Sequence, residues 1–215
     1  MFKAVVFDMD GVIFDTEKLY RRFQLEVAEE YGIPRELMTD VCEHIAGGTK
    51  YSNKATFERM VGRGIDYFEF REKMIQRLDS FVEENGIELK AGVRETLSYL
   101  KDNGYKIGLA TSTVRERAIN HLRNHSIDGY FDELVFGDMV ENGKPAPDIY
   151  LKACEMLGTM PEETIAVEDS INGIISAGSG KLYPVMVVDL IEPNEEIAPY
   201  VKKIYRRMDE MLEIL

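Results

Sequence analysis

The chain has 215 residues and a mass of 24.6 kDa, and it is 45% hydrophobic and 30% charged, so it is long enough for one packed core carrying a smaller insert and is not of the disordered class. Its 39 acidic and 26 basic side chains give a net charge of −13, which argues against nucleic acids and anionic membranes as partners. Cys42 and Cys154 form no paired motif, and no segment has the pattern of a membrane span or a signal peptide, so we expect a cytoplasmic protein without a disulfide framework or a thiolate zinc site.

The first predicted element is a buried strand over Lys3 to Phe7, which stops at a polar loop beginning with Asp8. From Glu17 to about Glu84, apolar residues recur at steps of three and four, and glycines divide this stretch into roughly four amphipathic helices. Beyond Gly86 helices alternate with strands. The predicted helices cover 93–103, 114–124, 148–157, 171–177 and 204–215, and the predicted strands cover 105–110, 133–136, 164–167 and 184–188.

This alternation predicts an α/β fold: a doubly wound, parallel-sheet, Rossmann-like core. The helical block interrupts the alternation directly after the first strand. We therefore predict two domains, an α/β catalytic core made of residues 1–16 and 85–215, and an inserted α-helical cap made of residues 17–84.

Polar residues follow four of the predicted strands at their carboxyl ends, where doubly wound sheets bind their ligands. They are Asp8 and Asp10 after the first strand, Thr111 and Ser112 after the second, Lys144 in the loop after the third, and Glu168 and Asp169 after the fourth. Carboxylates this close repel one another unless a cation lies among them, and an all-oxygen site suits Mg²⁺, with Asp8 and Asp169 as its natural ligands. A remaining carboxylate can attack a phosphoryl group, whose developing charge a metal, a lysine, hydroxyls and backbone amides stabilise together.

Four segments, in chain order, resemble the four motifs of the haloacid dehalogenase-like hydrolase superfamily: Phe7-Asp8-Met9-Asp10-Gly11, Thr111-Ser112, Lys144-Pro145 and Glu168-Asp169-Ser170. The resemblance extends over nearly the whole chain, and the helical insert resembles the superfamily's small α-helical cap. Three further segments are most similar to the β-phosphoglucomutase and sugar-phosphatase branch: Asp15-Thr16, Gly47-Gly48-Thr49-Lys50 and Gly143-Lys144-Pro145-Ala146-Pro147-Asp148.

The resemblance implies a role for each catalytic residue. Asp8 is expected to be the nucleophile that forms an aspartyl-phosphate, and Asp10 the general acid and later the general base. Thr111 and the backbone amide of Ser112 are expected to bind phosphoryl oxygens, and Lys144 to neutralise charge on Asp8 and on the phosphoryl group.

The resemblance also implies a cofactor, Mg²⁺. Asp8, Asp169 and the backbone carbonyl of Asp10 are expected to hold it, and Glu168 to act on it through water from the second shell.

In the cap, Gly47 and Lys50 are the candidate substrate residues. Lys50 stands where many members of the branch have an arginine, so we expect it to bind an anion less rigidly than a guanidinium does. Tyr20 stands where the mutase has a histidine, which favours a phosphatase over a mutase.

Together these residues predict a Mg²⁺-dependent phosphohydrolase of small phosphate monoesters, above all sugar phosphates. The nearest alternative is a β-phosphoglucomutase-like phosphotransferase, in which the phosphorylated aspartate donates to a sugar hydroxyl instead of to water. More distant alternatives are a phosphonatase with Lys50 or Lys54 as a Schiff base, a haloacid dehalogenase, and a non-catalytic binding module on the same fold. The expected partner is a small phosphorylated molecule, with no nucleic acid and no membrane, and no oligomeric state is predicted.

Overall fold

The central element is a single sheet of parallel strands, seen in a computed structural model that describes residues 1–46, 48 and 50–215. The six strands are β1 (Ala4–Phe7), β2 (Lys106–Thr111), β3 (Glu133–Phe136), β4 (Thr164–Glu168), β5 (Tyr183–Val187) and β6 (Lys203–Tyr205). Their order is β3-β2-β1-β4-β5-β6, so β1 lies in the interior of the sheet between β2 and β4. The predicted doubly wound parallel core is confirmed.

A block of four helices follows β1. They are α1 (Glu17–Glu30), α2 (Arg35–Ile45), α3 (Lys50–Met60) and α4 (Tyr67–Asn85). Phe23, Met38, Phe57 and Phe70 are buried in an apolar core that these helices share and that is separate from the cores of the sheet. The block is the inserted α-helical cap that the sequence predicts.

Four further helices cover the two faces of the sheet: α5 (Val93–Asp102), α6 (Arg115–Asn124), α7 (Asp148–Leu157) and α8 (Ile171–Ser179). Successive strand side chains point to opposite faces. Val5 and Phe7 therefore pack in the core that contains α5 and α6, whereas Ala4 and Val6 pack with α7. Within the described residues, no helix combines the length and the apolar character that crossing a bilayer requires.

The predicted helix over 204–215 is wrong. The chain forms β6 there, followed by a 3-10 helix at Met208–Ile214. The backbone N–H of Val188 donates to the carbonyl of Tyr205 at 2.9 Å, which adds a sixth strand to the sheet. Met208 and Met211 are both buried, and their spacing of three residues matches one turn of a 3-10 helix as well as it matches an α-helical stripe. The spacing of apolar residues therefore did not distinguish the two.

Candidate active site

The predicted catalytic residues meet at the carboxyl edge of the sheet. Asp8 follows β1, and its backbone N–H continues the sheet by donating to the carbonyl of Val167 at 2.9 Å. Thr111 ends β2, Glu168 ends β4, and Lys144 reaches the same edge from the loop after β3. The parallel arrangement brings these ends together, because every parallel strand ends at the same edge of the sheet.

Lys144 connects the nucleophile candidate to the acidic end of β4. Its side chain is only 1% exposed, and its Nζ lies 2.5 Å from Asp8 Oδ1 and 2.6 Å from Glu168 Oε1. Tyr150 donates its hydroxyl to the same Glu168 oxygen at 2.7 Å. Burial favours the neutral amine, but the charges of Asp8 and Glu168 outweigh it and raise the pKa of Lys144. The ammonium of Lys144 is thus stabilised by the two carboxylates and holds Asp8 at Oδ1.

The environment of Asp8 disfavours the ionised form of its carboxyl group. Burial raises the pKa of Asp8 to about 8; Lys144 acts in the opposite direction, and the charges of Glu168 and Asp10 add to the increase. The pKa of Asp169 is also well above its usual range, first because the group is buried and then because of Glu17, Glu168 and Asp8. The single ammonium of Lys144 therefore does not balance the charge of Asp8, Glu168 and Asp169 together.

The donor set fits a hard divalent cation. In the described part of the chain, carboxylate oxygens of Asp8, Glu168 and Asp169 lie within 4.8 Å of one another. Glu168 already accepts hydrogen bonds at Oε1 from Lys144 and Tyr150 and at Oε2 from Ser170. In contrast, Asp169 is only 6% exposed, and no described residue donates a hydrogen bond to its carboxylate or forms an ion pair with it. A buried carboxylate without a donor in an all-oxygen cluster is what a bound Mg²⁺ would satisfy.

Gly11 makes room for Asp169. Its φ is +78°, and a Cβ at this position would lie 2.1 Å from Asp169 Oδ2 and 3.0 Å from Glu17 Cγ. Any other residue would therefore both strain the backbone and displace the carboxylate. The glycine of the first motif is explained by this close approach.

Asp10 is held by two threonine hydroxyls. Thr16 Oγ1 donates to Asp10 Oδ1 at 2.7 Å, and Thr113 Oγ1 donates to Asp10 Oδ2 at 2.6 Å. The buried Thr111 accepts the backbone N–H of Thr113 at 3.0 Å and so shapes the loop that places this hydroxyl. No role was predicted for Thr16 or Thr113. The contact of Thr113 with Asp10 depends on a loop that follows another strand, and that of Thr16 depends on the turn between β1 and α1.

A pocket opens between the sheet edge and the cap. Asp8, Asp10, Ser112 and Asp169 line it from the core, together with Thr113 and Arg117. From the cap it is lined by one face of α1 and by residues of the other three cap helices and the segments between them, namely Glu17, Tyr20, Arg21, Gln24, Cys42, Ile45, Gly48, Lys50, Asn53, Tyr67 and Arg71. Lys50, the predicted cap residue, is exposed at this pocket, and the other, Gly47, lies outside the described residues. The α1 face was missed because helical periodicity does not show which way a helix is turned.

Two side-chain hydrogen-bonded contacts between described residues join cap and core. Arg117 at the start of α6 makes a bidentate pair with Asp79 of α4, at 2.9 Å from Nε and 2.7 Å from Nη2. Asn172 Nδ2 of α8 donates to the carbonyl of Ala46 at 2.9 Å. In this structure the cap lies over the carboxylates.

Comparisons with known proteins agree with this geometry. A family model described as haloacid dehalogenase-like hydrolase matches residues 5–187. The phosphorylated carbohydrates phosphatase of Thermotoga maritima is 37% identical over 187 residues, covering 86% of this chain and 85% of that protein. The β-phosphoglucomutase of Bacillus subtilis is 32% identical over 211 residues, 88% of each chain. The crystal structure of CbbY from Rhodobacter sphaeroides in complex with phosphate is 28% identical, with a TM-score of 0.77 over 98% of this chain and 96% of that one.

Proposed function

The chain belongs to the haloacid dehalogenase-like hydrolases, in the branch of sugar phosphatases and phosphoglucomutases, and we propose that it is a Mg²⁺-dependent phosphohydrolase of sugar phosphates that works through an aspartyl-phosphate at Asp8. The observation that carries the proposal is the pair formed by Asp8 and Lys144, with Asp10 held by two hydroxyls beside it. We also propose that the working units are a core of residues 1–16 and 85–215 and a cap of residues 17–84.

Divalent metals are typical of this family, and the acidic cluster suits one. Asp8, Asp169 and the backbone carbonyl of Asp10 would hold Mg²⁺, with Glu168 acting on it through water. When bound, the ion supplies positive charge that lets Asp8 ionise and that balances the charge of the phosphoryl group in the transition state.

In the first step an Asp8 oxygen attacks phosphorus. Lys144 donates to Asp8 Oδ1, which neutralises charge on the nucleophile and fixes its orientation. The bond from phosphorus to the ester oxygen breaks, and a protonated Asp10 gives its proton to the departing alkoxide, which leaves as the dephosphorylated sugar. The product is a phosphorylated Asp8 and an ionised Asp10.

In the second step the same groups hydrolyse the intermediate. Asp10 takes a proton from a water molecule, the water oxygen attacks phosphorus, and the bond to Asp8 breaks to release inorganic phosphate. Thr111, the amide of Ser112 and Lys144 are the groups proposed to bind the phosphoryl oxygens in both steps. Cap closure keeps bulk water away until the alcohol has left.

Asp8→Asn tests the proposal. The substitution preserves volume but removes the nucleophile, so we expect Mg²⁺-dependent release of phosphate from sugar phosphates to fall below detection while the melting temperature is retained. Acid quenching of the wild-type enzyme with labelled substrate should trap phosphate on the protein, and the variant should trap none. Metal-dependent turnover by the variant would rule out this mechanism.

A mutase is the second candidate, because the β-phosphoglucomutase of Bacillus subtilis is 32% identical to this chain. In a mutase the phosphorylated aspartate passes its phosphoryl group to a second sugar hydroxyl. Incubation with β-glucose 1-phosphate and a trace of the bisphosphate separates the two: glucose 6-phosphate indicates a mutase, and free phosphate with glucose indicates a phosphatase.

A further inference from the structure

Helix α1 presents one polar face to the pocket. Its pocket-lining residues are Glu17, Tyr20, Arg21 and Gln24. The last three follow Glu17 by three, four and seven positions, so all four lie on a single face of the helix. At about 1.5 Å of rise per residue this face is about 10 Å long, enough to accompany a six-carbon chain. The substrate's leaving group therefore lies along a row of side chains of different chemistry.

Glu17 is the member of this row nearest the reacting groups. Its Cγ and Asp169 Oδ2 crowd the same point beside Gly11, at 3.0 Å and 2.1 Å from where a Cβ would stand. The preceding residue, Thr16, donates its hydroxyl to Asp10, which the proposed function places at the leaving-group oxygen. Glu17 thus lies where the carbon skeleton of the leaving group begins.

The carboxylate of Glu17 has no partner within the protein. Among the described residues nothing donates a hydrogen bond to it or forms an ion pair with it, and the adjacent Lys18 pairs with Asp15 instead, at 2.8 Å. The mechanism above does not use it. A half-buried carboxylate at the wall of a substrate pocket, surrounded by other carboxylates, needs hydrogen-bond donors from the molecule that fills the pocket.

A divalent cation bound at the adjacent carboxylates would favour the ionised form of Glu17. An ionised carboxylate only accepts hydrogen bonds, which limits what that donor can be. The phosphoryl group of the substrate is an anion and an acceptor, so it repels Glu17. The hydroxyl groups of the leaving group are donors, and one carboxylate has an oxygen for each of two neighbouring hydroxyls. A leaving group without hydroxyls gains nothing from this position.

We propose that Glu17 is a specificity-determining residue whose carboxylate accepts hydrogen bonds from the hydroxyls of a polyol leaving group beside the scissile ester. The inference rests on the proposed phosphohydrolase function and assigns recognition of the sugar's hydroxyl groups to the side chain of Glu17. Lys50, the cap residue that the sequence favoured, is exposed, and Arg21 has Glu43 as a neighbour at 3.7 Å.

The test compares two substrates in three proteins. The substrates are the best polyol phosphate from a panel of hexitol, hexose and triose phosphates, and p-nitrophenyl phosphate, whose leaving group carries no second hydroxyl. The proteins are the wild type, Glu17→Gln and Glu26→Gln. Glu26 is a matched control because it makes the same change on the same helix, outside the pocket, where the side chain pairs with Arg22 at 2.8 Å.

Glu17→Gln should lower kcat/KM for the polyol phosphate on the order of 10- to 100-fold, the loss expected for charge-assisted hydrogen bonds. Its loss on p-nitrophenyl phosphate should be much smaller, so the ratio of the two kcat/KM values should fall about tenfold or more. Glu26→Gln should match the wild type on both substrates. An unchanged ratio of the two kcat/KM values in Glu17→Gln, or a wild type without preference for polyols, would overturn the inference. A wild type that hydrolyses neither substrate with Mg²⁺ would instead overturn the proposed function.

Discussion

The metal-free protein should lose stability as the pH rises. Burial, reinforced by neighbouring carboxylates, raises the pKa of Asp8 and of Glu17 to about 8 and holds the pKa of Asp169 well above its usual range. In the unfolded chain carboxyl groups lose their protons near pH ~4. Between about pH 4 and 8 the folded state therefore binds more protons than the unfolded state, and the free energy of unfolding falls as the pH rises through that window.

The expected size follows from one retained proton. For a group whose pKa rises from 3.8 to about 8, as for Asp8, the stabilisation that remains at pH 6 is almost lost at pH 8, a fall of about 2 kcal/mol. For a chain of 215 residues this corresponds to a decrease of about 4–8 °C in Tm. Mg²⁺ binds the ionised carboxylates, so the Tm gained on adding it should grow over the same range.

Thermal melts at pH 6, 7 and 8, in EDTA and in excess Mg²⁺, measure both trends. Asp8→Asn removes one of the titrating groups, so its Tm in EDTA should fall less steeply with pH than that of the wild type. A wild-type Tm in EDTA that is constant or rises with pH, or a gain from Mg²⁺ that is equal at pH 6 and pH 8, would refute the reasoning about proton binding.

Two further substitutions test the geometry of the site. Gly11→Ala puts a Cβ 2.1 Å from Asp169 Oδ2 and strains a backbone with φ +78°. We expect the free energy of unfolding to fall by about 1–2 kcal/mol, measured by thermal melts. We also expect the half-saturating Mg²⁺ concentration to rise about tenfold or more, measured by metal titration of phosphatase activity. Arg117→Gln and Asp79→Asn each break the bidentate pair between core and cap. Each should raise KM severalfold, with less than about 1 kcal/mol of lost stability. The KM of the double variant should be no higher than that of Arg117→Gln alone. Additive effects on KM would show that the two residues act separately.

The interior of the sheet was predictable because its inner strands are buried at nearly every position. Ala4 to Phe7 is buried at every position, as a strand covered on both faces must be, and no helix pattern competes there. The end of the chain was not predictable in this way. The segment from Lys203 to Tyr205 is an edge strand with two exposed residues, so burial leaves little mark on its sequence, and pairing with β5 decides its conformation.

The core of the site was predictable for a different reason. Each of Asp8, Thr111 and Glu168 ends or follows a parallel strand, and the topology alone brings such positions to one edge. The family match confirms the resemblance that these motifs carry. The contact of Arg117 with Asp79 depends on how the cap is placed over the sheet, and spacing along the chain contains no such information.

The partners of each carboxylate at the sheet edge indicate its task. Asp8 has Lys144, and Asp10 has two threonine hydroxyls, so the protein itself supports both charges during the reaction. Asp169 and Glu17 have no such donors among the described residues, and the cost of burying a charge requires that something else supply them. Asp169 lies within the cluster of carboxylate oxygens that suits a divalent cation, so the cation would be its partner. Glu17 lines the pocket from the cap, so the hydroxyls of the substrate would be its partners. A carboxylate left unpaired on the cap is then satisfied only when a polyol fills the pocket, which ties recognition of the sugar to the placement of the cap over the phosphorylated intermediate.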